Sequence, residues 1–515
     1  MLRILVVGLL AALCQAQDVY TIAGHVVRHL DQRPAPGLRV SIAMVKEQGR
    51  QVTVVSGENG EFAFNGVPAG KYQLSVTEHG VTRLYWQFDF FSTAIVTGPN
   101  LDTEHIVFTL ESAASITGSV VDEDNEPVQQ IQVFLFHKGI RLGKYETRMQ
   151  AGGMTDMGGR FHFRGLEPGS YYVAVVGRPW YAQFGNQPNM SAEIDVAYPV
   201  TYYGGATSAE GATPLRLEEG QKADLQISVR AVPALHVKLD GLPTGPVTEG
   251  QMLPRHIARQ RGVMLAQTGP GGALIHLPVA MGNNELVGVA PGRYTVTYGS
   301  ETQTVTLTGN TELQLGGGVE TWVKGRVILD GQGEAARPNV SLSDEQGRGF
   351  FSGPVQPDGT FEIQNLAAGR YQLGLANEQG TYIAKAEVKG ATYIDGELDV
   401  AAGAHVELLI TPGHGFTEVN GIAVEDKKPQ AGAMVLLIPQ DRKSGRGIGR
   451  DQSDADGTFA IPSVVPGRYL LVAIDDGKGL AYADREAMAP YLQHGLVVDV
   501  PMSKPASVEV QHRLQ

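Results

Sequence analysis

Aromatic side chains are the groups in this 515-residue sequence most suited to binding something. In "RPWYAQFGNQPN", Trp180, Tyr181 and Phe184 fall in a Gly- and Pro-rich stretch where burial is hard to arrange, and "YPVTYYGG" adds Tyr202 and Tyr203. Sugar rings stack on exposed aromatic faces, so these five residues form a candidate glycan-stacking site. The competing reading is core packing plus contact with a neighbouring domain. A second run, "LYWQFDFF", alternates as a strand would, with Trp86, Phe88 and Phe90 on one face and Tyr85 and Phe91 on the other.

Catalysis and metal binding have less to work with. A zinc peptidase needs His-x-x-Glu or His-Glu-x-x-His, and none of the thirteen histidines has either spacing. His162, between Phe161 and Phe163, is expected to face solvent from a strand. There is no Gly-x-Ser-x-Gly elbow and no phosphate-binding loop. "SDADGTF" at 453–459 hints at a calcium loop, but Gln452 and Ser463 occupy places that require an acid. "DEDNE" at 122–126 reads as an acidic turn between strands. Lys324 is the exception among opening strands that otherwise lack a lysine suited to an isopeptide cross-link. No catalytic residue, metal ligand or cofactor is assigned, and the chain is read as a non-enzyme.

The elements that would carry such residues repeat. "NGEFAFNGVPAGKYQLSV", "GGRFHFRGLEPGSYYVAV", "DGTFEIQNLAAGRYQLGL" and "DGTFAIPSVVPGRYLLV" share one gapless frame. A first glycine (Gly60, Gly159, Gly359, Gly457) is followed ten residues later by a second (Gly70, Gly169, Gly369, Gly467), and two residues on by a tyrosine (Tyr72, Tyr171, Tyr371, Tyr469). A degraded fifth copy, "NNELVGVAPGRYTVTY", keeps Gly292 and Tyr294. Successive tyrosines are a domain's length apart, far longer than a solenoid repeat. Locally, Asp-Gly makes a tight turn and Phe361 and Ile363 alternate with Glu362 as in a half-buried strand. Gly369 is expected to supply a positive φ at the second turn, and the tyrosine to bury its ring and return its hydroxyl to backbone.

Each copy also opens alike, with a glycine in mid-strand: "TIAGHVV", "SITGSVV", "WVKGRVI", "EVNGIAV". Closing strands such as "HIVFTL", "DLQISV" and "HVELLI" lie a few residues before the next opening, so linkers, including "GGG" at 316–318 and "TPGHG" at 411–415, are short. Helix signals are scarce, apart from a short one after Asp484 in "DREAMAPYLQHG" that Pro490 would limit. The expected fold is all-β: a tandem array of about five immunoglobulin- or transthyretin-like sandwiches at 17–111, 112–230, 231–317, 318–412 and 413–515. The second would carry the aromatic loop insertion and the third would be degenerate. On short linkers the array would form a rod or arc.

On "GSVVDEDNEPV", "GRFHFRGLEPGSYYVAV" and "YPVTYYGGATSAEGATPLRLEEGQKADLQISV" the chain resembles bacterial proteins of tandem carboxypeptidase regulatory-like domains, a group related to collagen-adhesin B-type and starch-binding-like folds. The resemblance spans most of residues 20–513 and is weakest over 231–317. It implies the fold and no peptidase activity, because such modules are appended to enzymes, receptors and surface proteins alike.

The first sixteen residues read as a secretory signal, with Arg3 before the apolar run Ile4–Leu13 and a cleavage site near Ala16. Cys14 is the single cysteine, and Leu13 before it is too large for a lipoprotein signal. The mature chain would then hold neither a thiol nor a membrane span. A net charge of −13 disfavours nucleic acid and anionic membranes. The basic run "RHIARQR" at 255–261 reads as a solvated loop. The reading is an exported structural, adhesive or scaffold protein of the cell surface, periplasm or extracellular space, its partner a glycan or protein. Carbohydrate binding through the second domain is the alternative, and an accessory subunit of a secreted hydrolase is disfavoured.

Overall fold

The structure is a computed structural model that describes residues 18–513 apart from 46–49, 183–193, 242–262, 278–279, 283, 299–300, 316–320, 330–337, 345–349, 365, 377–379, 442–446 and 502–505. The leader with Cys14, the basic run 255–261, the glycines 316–318 and Phe184 lie outside the described residues.

One strand arrangement occurs five times. In the first sandwich Val19–Arg28 runs antiparallel to Glu61–Pro68 on one side and parallel to Ile106–Leu110 on the other. Ala114–Val121 lies likewise between Arg160–Leu166 and Lys222–Ser228. Leu235–Asp240 has Glu285–Val289 and Thr311–Gln314. Trp322–Val327 has Thr360–Gln364 and His405–His414, and Thr417–Glu425 has Thr458–Val464 and Ala506–Arg513. The facing sheet in each case is built on an antiparallel pair that ends in the frame tyrosine's strand, such as Arg39–Met44 with Gly70–Glu78 or Met434–Pro439 with Gly467–Ile474. The degraded third copy therefore keeps the arrangement, because pairing is a backbone property and its inward positions remain apolar (Val237, Leu265, Leu286, Tyr294, Val296). Each sandwich has its own buried core between its sheets. The stretch 411–415 is less a linker than a strand end, for His405–His414 pairs with Thr381–Lys389 as far as His414. The short helix, Arg485–Leu492, is capped by the Asp484 side chain, which accepts from the Glu486 N–H.

The repeat frame has a single geometry. Gly60, Gly159, Gly359 and Gly457 have φ of 75°, 71°, 85° and 79°. Their carbonyls accept from the opening strand at Val26, Val120, Val327 and Ala423. A Cβ at Gly359 would stand 2.5 Å from the Val327 carbonyl oxygen, so both φ and space demand glycine. The mid-strand glycine of the opening has the second reason alone: a Cβ at Gly325 would stand 2.2 Å from the Leu408 carbonyl of the parallel closing strand. The second frame glycine differs from expectation. Gly70, Gly169 and Gly369 are not in the positive-φ region. Each opens a strand, as Gly467 does, and at Gly369 a Cβ would meet nothing nearer than the Tyr371 ring at 3.8 Å. The tyrosines are buried, and their hydroxyls donate to the carbonyl four residues earlier: Tyr72 to Pro68, Tyr171 to Glu167, Tyr294 to Ala290, Tyr371 to Ala367 and Tyr469 to Val465. The apolar ring thus closes the end of the core while its polar tip satisfies the turn.

The sandwiches do not string out into a rod. The fifth turns back onto the first and second, and this docking builds the features described next.

Candidate functional site

The segment Tyr85–Phe91 of the first sandwich forms a bent loop instead of the expected strand. Its strand stops at Leu84, Trp86 and Asp89 take positive φ (44° and 58°), and Phe88 and Phe91 bond each other across a tight turn. The loop encloses Arg450 of the fifth sandwich. The guanidinium carbon lies 4.8 Å from the Phe88 ring centre, 4.4 Å from Phe91 and 5.1 Å from Tyr482, within the range where a cation is drawn to a ring face. Arg450 donates to the Asp89 carboxylate at 3.5 Å and to the Phe88 carbonyl at 3.3 Å, and its side chain and that of Asp89 are 2% and 5% exposed. The same Asp89 oxygen accepts from the Leu142 N–H of the second sandwich at 2.6 Å. The Ala483 N–H donates to the Gly143 carbonyl at 3.0 Å. One carboxylate thus ties three sandwiches together, and two buried charges satisfy each other only in the docked arrangement.

A second set of contacts extends this interface. Lys71 pairs with Asp454 and donates to the Thr458 hydroxyl at 2.9 Å, while Asp454 accepts from the Ala94 N–H at 3.0 Å. The Gln452 amide donates to the Trp86 carbonyl and to Thr93, and the Ala455 N–H to the Ala94 carbonyl. Burial raises the Asp454 carboxyl against the opposing pull of Lys71, and burial pushes Asp451 up to about 6. The acids of "SDADGTF" are thereby engaged in protein contacts, with Asp456 accepting from the Thr458 N–H and hydroxyl. In "DEDNE", Asp122 accepts from the N–H groups of Asp124 and Glu126, which makes that cluster a turn. Among the described residues there is no group of three or more His, Cys, Asp or Glu side chains placed to hold a metal ion. Lys324 lies 3.0 Å from Glu362 and over the Trp322 ring. His162 faces solvent.

Behind the junction a cleft of about 780 Å³ opens where the first, second, fourth and fifth sandwiches meet. Its walls include Phe91, Leu142, Ile394, Ile438, Tyr482 and Met488, with Arg370, Arg450 and Arg485 among them.

The four described candidate glycan residues are not all brought together. Trp180 is 81% exposed, and Tyr181 meets it edge-on at 5.7 Å. Tyr202 is 1% exposed and cannot offer a ring face. It packs with Phe136, Val200 and Ile275 between the second and third sandwiches, because the segment that extends past the frame is used as an interdomain seam. Tyr203 is half-buried against the second core. The seam continues in His236, 2.9 Å from Asp195, and in Gln267, which donates to the Thr207 carbonyl. Nothing in the local pattern around Arg450 or Lys71 marks them in the sequence. The aromatic run "LYWQFDFF", which holds Asp89, and the acidic run with Gln452 and Asp454 drew attention for other reasons, as a strand and as a calcium loop.

With five like sandwiches and their tyrosine corners in view, the comparison with known families is direct. Residues 21–85 and 115–230 match the carboxypeptidase regulatory-like domain. Comparison with curated proteins gave no match. Among solved structures, the chain is similar to the minor pilin of Streptococcus agalactiae, at 13% identity over 41% of this chain and 97% of that one, with a TM-score of 0.22. It is also similar to the TIE protein of Bacillus anthracis (10% identity, 97% and 74% covered, TM-score 0.18) and to the shaft pilin of Lactobacillus rhamnosus GG (10%, 41% and 98%, 0.18).

Proposed function

We propose that the chain is an exported, non-enzymatic scaffold of five β-sandwiches, limited at 17–111, 112–230, 231–317, 318–412 and 413–515, with a structural or adhesive role at the cell surface or in the periplasm. The observation that carries this reading is the junction at Arg450. There a buried ion pair and its aromatic neighbours are engaged in fixing one sandwich against another, which is what a scaffold requires and what a hydrolytic site does not. The regulatory-like domain matches agree with it, since such modules carry no catalytic constellation of their own. The test is fractionation of the producing cell with antibody to the chain, combined with adhesion of a deletion strain. Retention in the cytoplasm, or unaltered adhesion and envelope integrity in the deletion strain, would overturn the reading.

A second reading rests on Trp180. A tryptophan at 81% exposure beside Tyr181 offers a ring face for a sugar. Trp180→Ala should leave the melting temperature unchanged and abolish retention on a polysaccharide column. If the wild type is not retained on any polysaccharide, this second reading fails.

A further inference from the structure

Among the described residues, the cleft behind the four-sandwich junction has a volume that the scaffold reading does not fill. Its volume of about 780 Å³ falls within the span of small-molecule sites. Its walls are divided in character: Phe91, Ile394, Ile438, Ile448, Met488 and Leu492 present apolar surface. The charged lining is of both signs, and most of it is already engaged. Lys144 pairs with Glu397 at 2.8 Å, Arg370 lies 3.9 Å from Asp399, and Asp395 has its own partner. One cation, Arg485, is left without an acid, and a second, Arg450, is only partly satisfied by Asp89. Arg485, exposed at the first turn of the helix, has no ion-pair partner among the described residues. Arg450, on the inner wall, is buried, bonds only at 3.3–3.5 Å, and its Nε has no partner among the described residues. The guanidinium charge, held by long bonds behind that wall, is only partly offset, and an anion against the wall would offset it further.

We propose that this cleft binds a small amphipathic anion, a carboxylate carried on an aliphatic or aromatic body, with the carboxylate toward Arg485 and Arg450 and the apolar body against Ile438, Ile448 and Met488. The proposal is independent of where the protein resides and of the Trp180 surface. It distinguishes charge from hydrophobicity, because an uncharged chain of the same length would gain the apolar wall and lose the guanidinium partners.

The test is calorimetric titration of the full chain with octanoate, with octanol and octylammonium as the uncharged and cationic analogues. Octanoate should bind with at least tenfold preference over octanol, and octylammonium should give no saturable heat. Arg485→Glu should remove the preference. This residue is exposed, and an acid at the first helical turn is compatible with the helix dipole, so folding should be retained, as a superimposable melting curve would verify. Ile448→Trp, which narrows the cleft, should weaken octanoate without restoring octanol. Equal affinity for octanoate and octanol, an unaltered preference in Arg485→Glu, or no saturable octanoate binding at millimolar concentration would each overturn the proposal.

Discussion

Replacing Arg450 by alanine tests the junction most directly. The substitution leaves the Asp89 carboxylate 5% exposed, with the Leu142 N–H as its remaining partner, and takes the cation from among Phe88, Phe91 and Tyr482. Breaking a buried pair by removing one member costs about 3–5 kcal/mol. The lost cation–ring attraction lies within that range of effects and not wholly beyond it, since the same guanidinium makes both contacts. The larger part of the cost should fall on docking, because Asp89, Phe88 and Phe91 belong to the first sandwich and Arg450 to the fifth, with Tyr482 the one partner within its own sandwich. Amide exchange reads this without having to isolate the open form. The Ala455 N–H donates across the interface to Ala94, so its protection reports undocking. At 1.4 kcal/mol per decade, a loss of about 3–5 kcal/mol corresponds to a fall of two to more than three decades in protection. The frame amides of Val26 and Ala423, bonded within their own sandwiches, should keep theirs. Arg450→Met combined with Asp89→Asn should restore much of the lost protection, since two neutral groups then replace two charges. Unchanged Ala455 protection in Arg450→Ala would refute the claim that this pair holds the fifth sandwich in place. An equal loss at Val26 and Ala423 would refute the claim that docking and folding are separable.

Gly359→Val should destabilise the fourth sandwich by more than about 1–3 kcal/mol in chemical denaturation, since positive φ and a blocked Cβ act together, whereas Gly369→Val should change it by less than about 1 kcal/mol. Tyr202→Phe should be neutral or slightly stabilising, because the buried hydroxyl has no partner among the described residues, while Tyr202→Ala should cost about 3–5 kcal/mol and loosen the third sandwich, both read by calorimetry. Asp451, raised to about 6, binds its proton more tightly when folded than when unfolded. Its contribution is therefore fully present at low pH, declines as pH rises from about 4 to 6, and is gone above that. Asp451→Asn should accordingly stabilise the fifth sandwich at pH 7.5 by up to about 2–3 kcal/mol, with the gain vanishing near pH 4; a gain that grows on acidification would contradict the sign.

The fold was legible wherever it is local. Glycine and tyrosine spacing located the turns, the inward strands and the tyrosine corners, because these depend on φ and on contacts within a dozen residues. Even there, Gly369 was misread: a glycine after a turn is a signal for positive φ, but this one begins a strand in ordinary backbone. The "LYWQFDFF" run alternates like a strand, yet Trp86 and Asp89 adopt left-handed backbone, since the loop is shaped by Arg450, more than 350 residues away in sequence. Tyr202 looked like a ligand platform for the same reason. Periodicity reports that a side chain wants an apolar partner and is silent on whether the partner is a sugar or the next sandwich. Chain reversal, and with it the cleft, lies wholly in such distant pairings.

The parallel pairing of opening and closing strands has a mechanical consequence. Two parallel neighbours begin at the same end of a sandwich, so the chain enters at one end and leaves at the other. Tension along the polypeptide therefore drags these two strands past each other lengthwise, loading every rung of the ladder at once instead of peeling rungs one by one. In the second sandwich the rungs run from Lys222 against Ser115 to Ser228 against Val121. A chain of such units under pull would yield first at the Arg450 contact, paying out length by undocking, and only at higher force by shearing a sandwich.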